Sequence, residues 1–177
     1  MDTTFLIGYM GSGKTTLGRA VAARTGIRFI DLDDYIEERE GCTIREIFAS
    51  RGEEAFRALE REALAEVSAL TDTLVACGGG TPCFSGNMEL MNSRGTTVYL
   101  TAPHSSLLSR LKEGRAKRPL IASLSDAELD TFITDQMSWR HPYYSQATLT
   151  FDSSRLESLD QVDRSVDEFL KLIGYDS

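Results

Sequence analysis

The chain has 177 residues, 41% of them hydrophobic, and a formal net charge of −8. This length predicts one domain over residues 1–177, with enough apolar surface to bury a core without disulfides. The acidic balance argues against a protein that coats nucleic acid or an anionic membrane, and no apolar run approaches the roughly 18 residues of a membrane span.

Short apolar runs alternate along the chain with longer helical patterns. Capping boxes at Thr43–Glu46 and Ser125–Glu128 each predict the start of a helix. Alternation of this kind predicts βαβ units and a parallel sheet. The predicted strands are residues 4–7, 28–32, 73–77, 96–100 and 148–151, and the predicted helices are residues 14–24, 34–39, 53–70, 105–112, 125–141 and 156–172.

The segment from Gly8 to Thr15 fits the phosphate-loop pattern G-x-x-x-x-G-K-[ST] between a predicted strand and a predicted helix. Its glycines let the backbone N–H groups face one polyphosphate, Lys14 would reach the β- and γ-phosphates, and the Thr15 hydroxyl would bind Mg²⁺. The alternative is a glycine-rich turn with an incidental lysine. We assign the nucleotide phosphates to Gly11, Ser12, Gly13, Lys14, Thr15 and Thr16.

Two carboxylates follow the second predicted strand, at Asp31 and Asp33. A strand period of two would place both on one face, at the sheet edge where parallel sheets bind ligands. One would then lie near Mg²⁺ and the other near an acceptor hydroxyl. The alternative is a solvated helix start, in which Asp33 or Asp34 caps the next helix.

Further along, Arg57 has Glu53 four residues before it and Glu60 three residues after it. The plain interpretation is an exposed ion pair worth about 0.3–0.5 kcal/mol. The alternative is a guanidinium held in one orientation to bind a substrate carboxylate. After the third predicted strand, the run Gly78–Gly80 indicates backbone that approaches a ligand closely.

Taken together, these motifs strongly resemble those of the shikimate kinase family. The matching segments run in order over nearly the whole chain. They are Gly8–Thr15, Phe29–Asp33, Gly52–Glu60, Gly78–Gly80, Arg118–Leu120 and Trp139–Tyr144.

The resemblance implies a three-layer α/β/α P-loop kinase fold with a five-stranded parallel sheet. It implies a helical substrate-binding segment at about residues 32–61 and a mobile lid at about residues 112–124. The implied reaction transfers a phosphoryl group from ATP, with Mg²⁺, to the 3-hydroxyl of shikimate.

The resemblance also implies a role for each matching residue. Asp33 would hold the shikimate hydroxyls and act as the base, while Asp31 would lie near Mg²⁺ with Thr15. Arg57 and Arg140 would clamp the carboxylate, with Phe48 and Phe56 around the ring or in the core. The backbone of Gly78, Gly79 and Gly80 would contact the substrate, and Lys14 and Arg118 would neutralise the phosphates.

Three features depart from the family pattern or carry little information. The third strand ends at Cys77 without the usual Asp of a Walker B motif, and we expect Cys77 to be a buried small hydrophobe. The spacing from Arg110 to Arg118 differs by one residue from that of the family's adenine-side arginine. Arg155 lies where an adenine-side loop is expected, in a segment whose sequence is uninformative. We keep Arg110 and Arg155 as predicted nucleotide contacts.

Two other functions stay open at this point: a kinase of a related small acceptor such as gluconate, and a catalytically dead nucleotide-binding regulator. We expect a small-molecule substrate, no nucleic-acid or membrane partner, and a monomer. The start of the chain lacks a signal peptide's basic region, and its three cysteines are typical of free thiols in a reducing compartment. Both features favour the cytoplasm.

Overall fold

The sheet lies at the centre of the fold and has five parallel strands in the order β2-β3-β1-β4-β5. Our computed structural model describes residues 1–175. All residues of β1, the middle strand, and of its neighbour β3 are buried. This burial explains their continuous apolar and threonine-rich sequences. The strands are β1 (Thr3–Ile7), β2 (Arg28–Asp31), β3 (Thr73–Ala76), β4 (Gly95–Thr101) and β5 (Leu149–Asp152).

Helices cover both faces of this sheet. Leu6 of β1 points into a core cluster with residues of α1 and α7, whereas Phe5 and Ile7 point into a larger cluster on the opposite face. The predicted three-layer architecture is therefore confirmed. The helices are α1 (Lys14–Thr25), α2 (Leu32–Glu40), α3 (Ile44–Val67), α4 (Asn87–Arg94), α5 (His104–Glu113), α6 (Asp126–Tyr144) and α7 (Leu159–Leu172).

Both predicted capping boxes are present. At the start of α3, the Glu46 backbone N–H donates to the Thr43 hydroxyl at 3.2 Å, and the Glu46 carboxylate accepts from the Thr43 backbone N–H at 2.7 Å. Ser125 and Glu128 make the same reciprocal pair at the start of α6. These local signals fix where two long helices begin, and so they fix the position of the side chains further along each helix.

Two local predictions need correction. The strand β2 ends at Asp31 rather than at residue 32, because the Asp31 side chain caps α2 by accepting from the Asp33 backbone N–H at 3.1 Å. The helix predicted at residues 53–70 is the second part of α3, which resumes after the non-helical residue Gly52 as predicted but ends at Val67 rather than at residue 70. The polar sequence of α4 gave no prediction of a helix.

The strand order places β1 between β3 and β4: the chain builds β2 and β3 on one side of β1, then crosses to build β4 and β5 on the other. In open parallel sheets, ligands bind beyond the carboxyl end of the strand where this reversal occurs. Within residues 1–175, no helix is both long enough and apolar enough to cross a membrane.

Candidate active site

A cavity of about 500 Å³ lies beyond the carboxyl ends of β1, β2 and β3. It gathers the phosphate loop, both carboxylates of the 31–33 segment and one arginine of the predicted lid. The lining residues are Met10, Gly11, Gly13, Lys14, Thr15, Thr16, Asp31, Asp33, Ala76, Cys77, Gly78, Gly79, Arg110, Arg118, Leu156 and Glu157.

The phosphate loop is closed around the Lys14 ammonium group. Lys14 Nζ donates to the carbonyl oxygens of Gly8 at 2.8 Å and Tyr9 at 2.9 Å. Burial lowers the pKa of Lys14 to about 8, against the charges of nearby Asp33 and Asp31, which raise it. Gly8 has a φ of +144°, and a Cβ there would lie 2.7 Å from the Leu100 carbonyl oxygen, so only glycine fits.

Thr15 and Asp31 meet at the base of the cavity. The Thr15 hydroxyl donates to Asp31 Oδ2 at 3.1 Å. A hydroxyl and a carboxylate fit Mg²⁺, which is commonly bound by one or two protein oxygens together with substrate phosphates and water. Within residues 1–175, no three His, Cys, Asp or Glu side chains cluster as a metal cage, so an ion here would depend on the phosphates.

Asp33 lies in the first turn of α2, close to Asp31 and not on the strand as predicted. Burial raises the pKa of its carboxyl to about 6; the charges of Asp31 and Glu60 act in the same direction, and Lys14 opposes them. Asp33 is therefore ionised at neutral pH, with a higher basicity than an ordinary aspartate.

The three glycines after β3 each face a different charged side chain. A Cβ at Gly78 would lie 3.2 Å from Asp33 Oδ1, one at Gly79 would lie 2.8 Å from Arg140 Nη1, and one at Gly80 would lie 2.9 Å from Arg57 Nη2. The backbone therefore runs directly beneath the three groups predicted to bind the acceptor. A side chain at Gly79 or Gly80 would displace an arginine, and one at Gly78 would crowd Asp33.

Arg57 is held by a buried carboxylate. Its Nη1 donates to Glu60 Oε1 at 2.8 Å, and Glu60 Oε2 accepts from the Thr81 hydroxyl at 2.8 Å. The more exposed Glu53 is 3.6 Å from Arg57 Nη2. The exposed-pair interpretation is thus wrong, because Glu60 is only 1% exposed and links α3 to the segment that follows the glycines.

Arg140 approaches the same glycines from α6. Its guanidinium carbon lies 5.4 Å from the centre of the Tyr9 ring, and Tyr144, one turn further along, donates to the Gly79 carbonyl oxygen. Within the described chain, the Nε atoms of Arg57 and Arg140 are two of only three buried side-chain polar atoms without a hydrogen-bond partner. A bound ligand or an ordered water would satisfy such donors.

The two aromatic residues before Arg57 differ in their environment. Phe56 is 4% exposed and belongs to the core, whereas Phe48 is 37% exposed. Their ring centres are 4.6 Å apart. Of the two, only Phe48 presents its ring to solvent, and contact between either ring and a substrate stays a prediction.

On the nucleotide side, Arg110 connects the phosphate loop to the loop after β5. Its guanidinium donates to the carbonyl oxygens of Gly11 at 3.1 Å and Ser153 at 2.9 Å, and to the Glu157 carboxylate at 2.7 Å. The hydrogen-bonding edge of the Arg110 guanidinium is therefore occupied by protein oxygens. Arg110 lines the cavity as predicted, and its contact with a nucleobase stays a prediction.

Arg118 and Arg155 have different surroundings. Arg118 lines the cavity and donates to the Gly114 carbonyl oxygen at 3.2 Å. Arg155 is not among the cavity-lining residues; it pairs with Glu168 of α7 at 2.9 Å. Its neighbours Leu156 and Glu157 line the cavity instead. Contact between Arg155 and a nucleotide stays a prediction.

Contacts of Arg115 join the start of the predicted lid to its end and to the first turn of α6. Arg115 donates to the Leu124 carbonyl oxygen at 2.8 Å and pairs with Asp126, while Ile121 is fully buried. Leu120, in contrast, is 70% exposed. The segment therefore has one apolar anchor that its basic composition did not suggest.

A family model described as shikimate kinase matches residues 10–173. The chain belongs to the shikimate kinase family. Shikimate kinases are ATP-using enzymes that phosphorylate shikimate, so the predicted class of reaction and the predicted fold are both confirmed at the level of the family.

Individual shikimate kinases match this chain over almost its full length. The one from Phocaeicola vulgatus is 48% identical over 98% of this chain and 99% of its own. The crystal structure of the one from Bacteroides thetaiotaomicron has a TM-score of 0.94 at 43% identity, covering 98% of both chains. Another, from Acinetobacter baumannii in complex with shikimate, has a TM-score of 0.82 at 30% identity, covering 98% of this chain and 94% of its own.

Sequence reasoning did not identify the residues that hold Arg57 in place in this shikimate kinase site. Glu60 was noticed only for its spacing from Arg57, and the spacing gave no sign that it is buried. Thr81 and Phe84 follow the three glycines without any motif of their own. A buried glutamate needs partners, and the helical spacing of the buried residues Phe56, Leu64 and Val67, which places Glu60 on the same face of α3, is the signal that could locate it.

Proposed function

We propose that this chain transfers the γ-phosphoryl group of ATP to the 3-hydroxyl of shikimate. The observation that carries the proposal is the convergence of Arg57, Arg140 and Asp33 over the three glycines, beside the phosphate loop. Two cations and one carboxylate match a small acceptor that has one carboxylate and several hydroxyls. Gluconate also has one carboxylate and several hydroxyls, so the choice of shikimate over gluconate rests on the match to the shikimate kinase family. A non-catalytic regulator would not need an acceptor site beside the phosphate loop.

The acceptor would be oriented by its two ends. The guanidinium groups of Arg57 and Arg140 would bind its carboxylate, which would satisfy their unpartnered Nε donors or the neighbouring Nη donors. Asp33 would accept a hydrogen bond from the reacting hydroxyl. Holding the acceptor oxygen in line with the γ-phosphorus supplies much of the rate acceleration in phosphoryl transfer.

The transfer step would form a bond between the acceptor oxygen and the γ-phosphorus and break the bond between that phosphorus and the β–γ bridging oxygen. ADP leaves with the bridging electrons, and the hydroxyl proton passes to the Asp33 carboxylate. A carboxyl pKa of about 6 suits this role, because the group is ionised at neutral pH and still accepts a proton readily.

The donor would lie in the phosphate loop. The backbone N–H groups of residues 11–16 and the Lys14 ammonium would hold the phosphates, with Arg118 completing the charge from the lid. Arg110 and the lining residues Leu156 and Glu157 would border the nucleobase. Thr15 and Asp31 would hold Mg²⁺, which when bound would neutralise phosphate charge.

A closed lid would exclude water, which otherwise competes with shikimate for the phosphoryl group. We assign the lid to residues 112–124 and the acceptor-binding segment to residues 32–61 of a single domain spanning residues 1–177. We further propose a monomer that acts in the cytoplasm, as its acidic composition and free thiols suggest.

The test is a coupled assay of ADP release with ATP, Mg²⁺ and shikimate. Controls omit shikimate, omit Mg²⁺, or replace shikimate with gluconate. We expect release that requires shikimate and Mg²⁺, with a product that is shikimate 3-phosphate by NMR. Release that ignores the acceptor, or that responds equally to gluconate, would contradict the proposal. ATP binding without turnover would favour the regulator.

A further inference from the structure

The guanidinium group of Arg57 is stacked on an aromatic ring outside the recognised motifs. Its central carbon lies 3.8 Å from the centre of the Phe84 ring, closer than the 5.1 Å to the Phe56 ring. The Arg57 side chain is 17% exposed, so this contact is largely removed from water. A cation over an aromatic face is attracted most strongly under those conditions.

A ring orients a guanidinium differently from a carboxylate. Glu60 holds Arg57 at one Nη atom and uses part of its hydrogen-bonding edge. Phe84 contacts the flat face and accepts no conventional hydrogen bond, so the remaining N–H donors stay available to a ligand. The contact fixes the plane of the guanidinium without neutralising its charge.

Phe84 also packs on the helix that carries Arg140. Its ring is 5.7 Å from that of Trp139, the residue immediately before Arg140 on α6. Trp139 packs in turn on Tyr143 at 5.9 Å. Phe84 thus contacts Arg57 directly and the Arg140-bearing helix through Trp139. Its side chain is partly buried and packs against the larger core cluster, which holds the ring in place under Arg57.

We propose that Phe84 is a positioning residue for shikimate binding, which presents the guanidinium of Arg57 to the carboxylate of the acceptor. The inference rests on the proposed function. It predicts that loss of the ring weakens shikimate binding through Arg57 alone. The chemical step and ATP binding do not depend on the ring.

The experiment compares Phe84→Leu, which keeps an apolar side chain but removes the ring, with Phe84→Tyr, which keeps the ring. We expect Phe84→Leu to raise the KM for shikimate and the Kd from calorimetry about three- to thirtyfold, the range for a partly desolvated cation–π contact. The kcat and the KM for ATP should change less than about twofold. Phe84→Tyr should keep the KM for shikimate at its wild-type value. Tyr143→Leu, which removes a ring from the same cluster without touching Arg57, is the matched control.

A double-mutant cycle with Arg57→Ala decides whether the effect passes through Arg57. In the Arg57→Ala background, Phe84→Leu should leave the Kd for shikimate unchanged within about twofold. An equal loss with and without Arg57 would overturn the proposal, as would an unchanged KM in folded Phe84→Leu or a failure of Phe84→Tyr to restore binding. Phe84→Met serves as a second ring-free variant if Phe84→Leu does not fold. A wild-type protein without shikimate-dependent ADP release would contradict the proposed function, whereas a normal wild type with unaffected variants would contradict only this inference.

Discussion

Two properties of Asp33 suit it to the proposed role of base. It faces the Gly78 backbone, and its pKa is raised to about 6 by burial and by the charges of Asp31 and Glu60. The ionised form of a base accepts the proton, so activity that depends on Asp33 is present above this pKa and lost below it. The proposed role therefore has a characteristic dependence on pH.

We expect kcat/KM for shikimate to fall about tenfold for each pH unit below about pH 6, with a plateau above it. Asp33→Asn should lower kcat by more than about 100-fold at pH 7.5 while ATP binding stays nearly intact, because the amide cannot accept the proton. Steady-state kinetics and calorimetric ATP titration measure the two effects. Near-normal turnover of Asp33→Asn would reject the role of base.

Arg57 and Arg61 lie four residues apart on α3 and allow a matched comparison. Arg57→Ala should raise the Kd for shikimate by at least about tenfold and leave ATP binding unchanged, because a charged hydrogen bond contributes about 1.5–3 kcal/mol. Arg61 bonds only to Gly86 and Asn87, away from the glycines, so Arg61→Ala should leave shikimate affinity as it was. Calorimetric titration of both variants makes the comparison. Equal affinities for the two variants would remove Arg57 from the clamp.

Among single residues, the sequence predicts best those positions where the local chemistry requires one residue type. Lys14, Thr15 and Asp31 lie together in the cavity because a phosphate loop and a strand end leave few alternatives. The bond between Glu60 and Thr81 and the stacking of Arg57 on Phe84 depend on which segments meet across the fold. No local pattern of residues encodes such a meeting.

Among the elements, α3 consists of two helical parts that meet at one glycine. A capping box starts the helix at Thr43, yet Gly52 adopts a φ of +82° and a ψ of 174°, and the helix resumes with a new direction. The second half of α3 carries Arg57 and Glu60 toward the glycines. The glycine of the G-E-x-x-F-R motif therefore shapes the helix that positions the arginine.

Gly52→Ala should destabilise the protein by about 1–3 kcal/mol, because this backbone conformation is nearly exclusive to glycine. No atom lies within 4 Å of the Cβ that would be added, so the cost is one of backbone conformation alone. Gly41→Ala is the control: Gly41 is equally open but has the milder conformation of φ +68° and ψ 19°. Urea unfolding measures both. A cost at Gly52 no larger than that at Gly41 would show that the kink is not held by this residue.

Across the whole molecule, alternating strand and helix patterns predicted a parallel sheet, and five strands are present. The order of those strands was not readable from alternation alone. It is set by which apolar faces pack together, as when Leu6 and Leu74 share a cluster with α1 and α7. The helix α4 was missed for a related reason, since its polar sequence folds against β4 and the segment after the glycines.

Closure of the lid is a property of the whole chain, because it joins α5 and α6 over a cavity built from β1–β3. We expect trypsin to cut the ligand-free protein after Lys117, which is exposed, and to spare Arg118, which precedes Pro119. An ATP analogue and shikimate together should slow the cut by at least about tenfold, since a closed segment is withdrawn from the protease. Mass spectrometry of the fragments locates the cut. Equal rates in both states would remove the closing lid from the mechanism.

The carbonyl cage around Lys14 has a consequence for the proton balance of binding. With a pKa of about 8, about half of the Lys14 side chains are neutral at pH 8 and about one tenth at pH 7. Bound phosphates favour the charged amine, so ATP binding should draw about half a proton from the buffer at pH 8 and much less at pH 7.

Calorimetry in buffers of different ionisation enthalpy measures this uptake directly, and a heat of binding that is the same in every buffer at pH 8 would contradict it. The same coupling between proton and ATP binding makes the affinity for ATP depend on pH. Because protons bind together with ATP, the apparent affinity for the nucleotide should weaken as the solution becomes more alkaline than about pH 8.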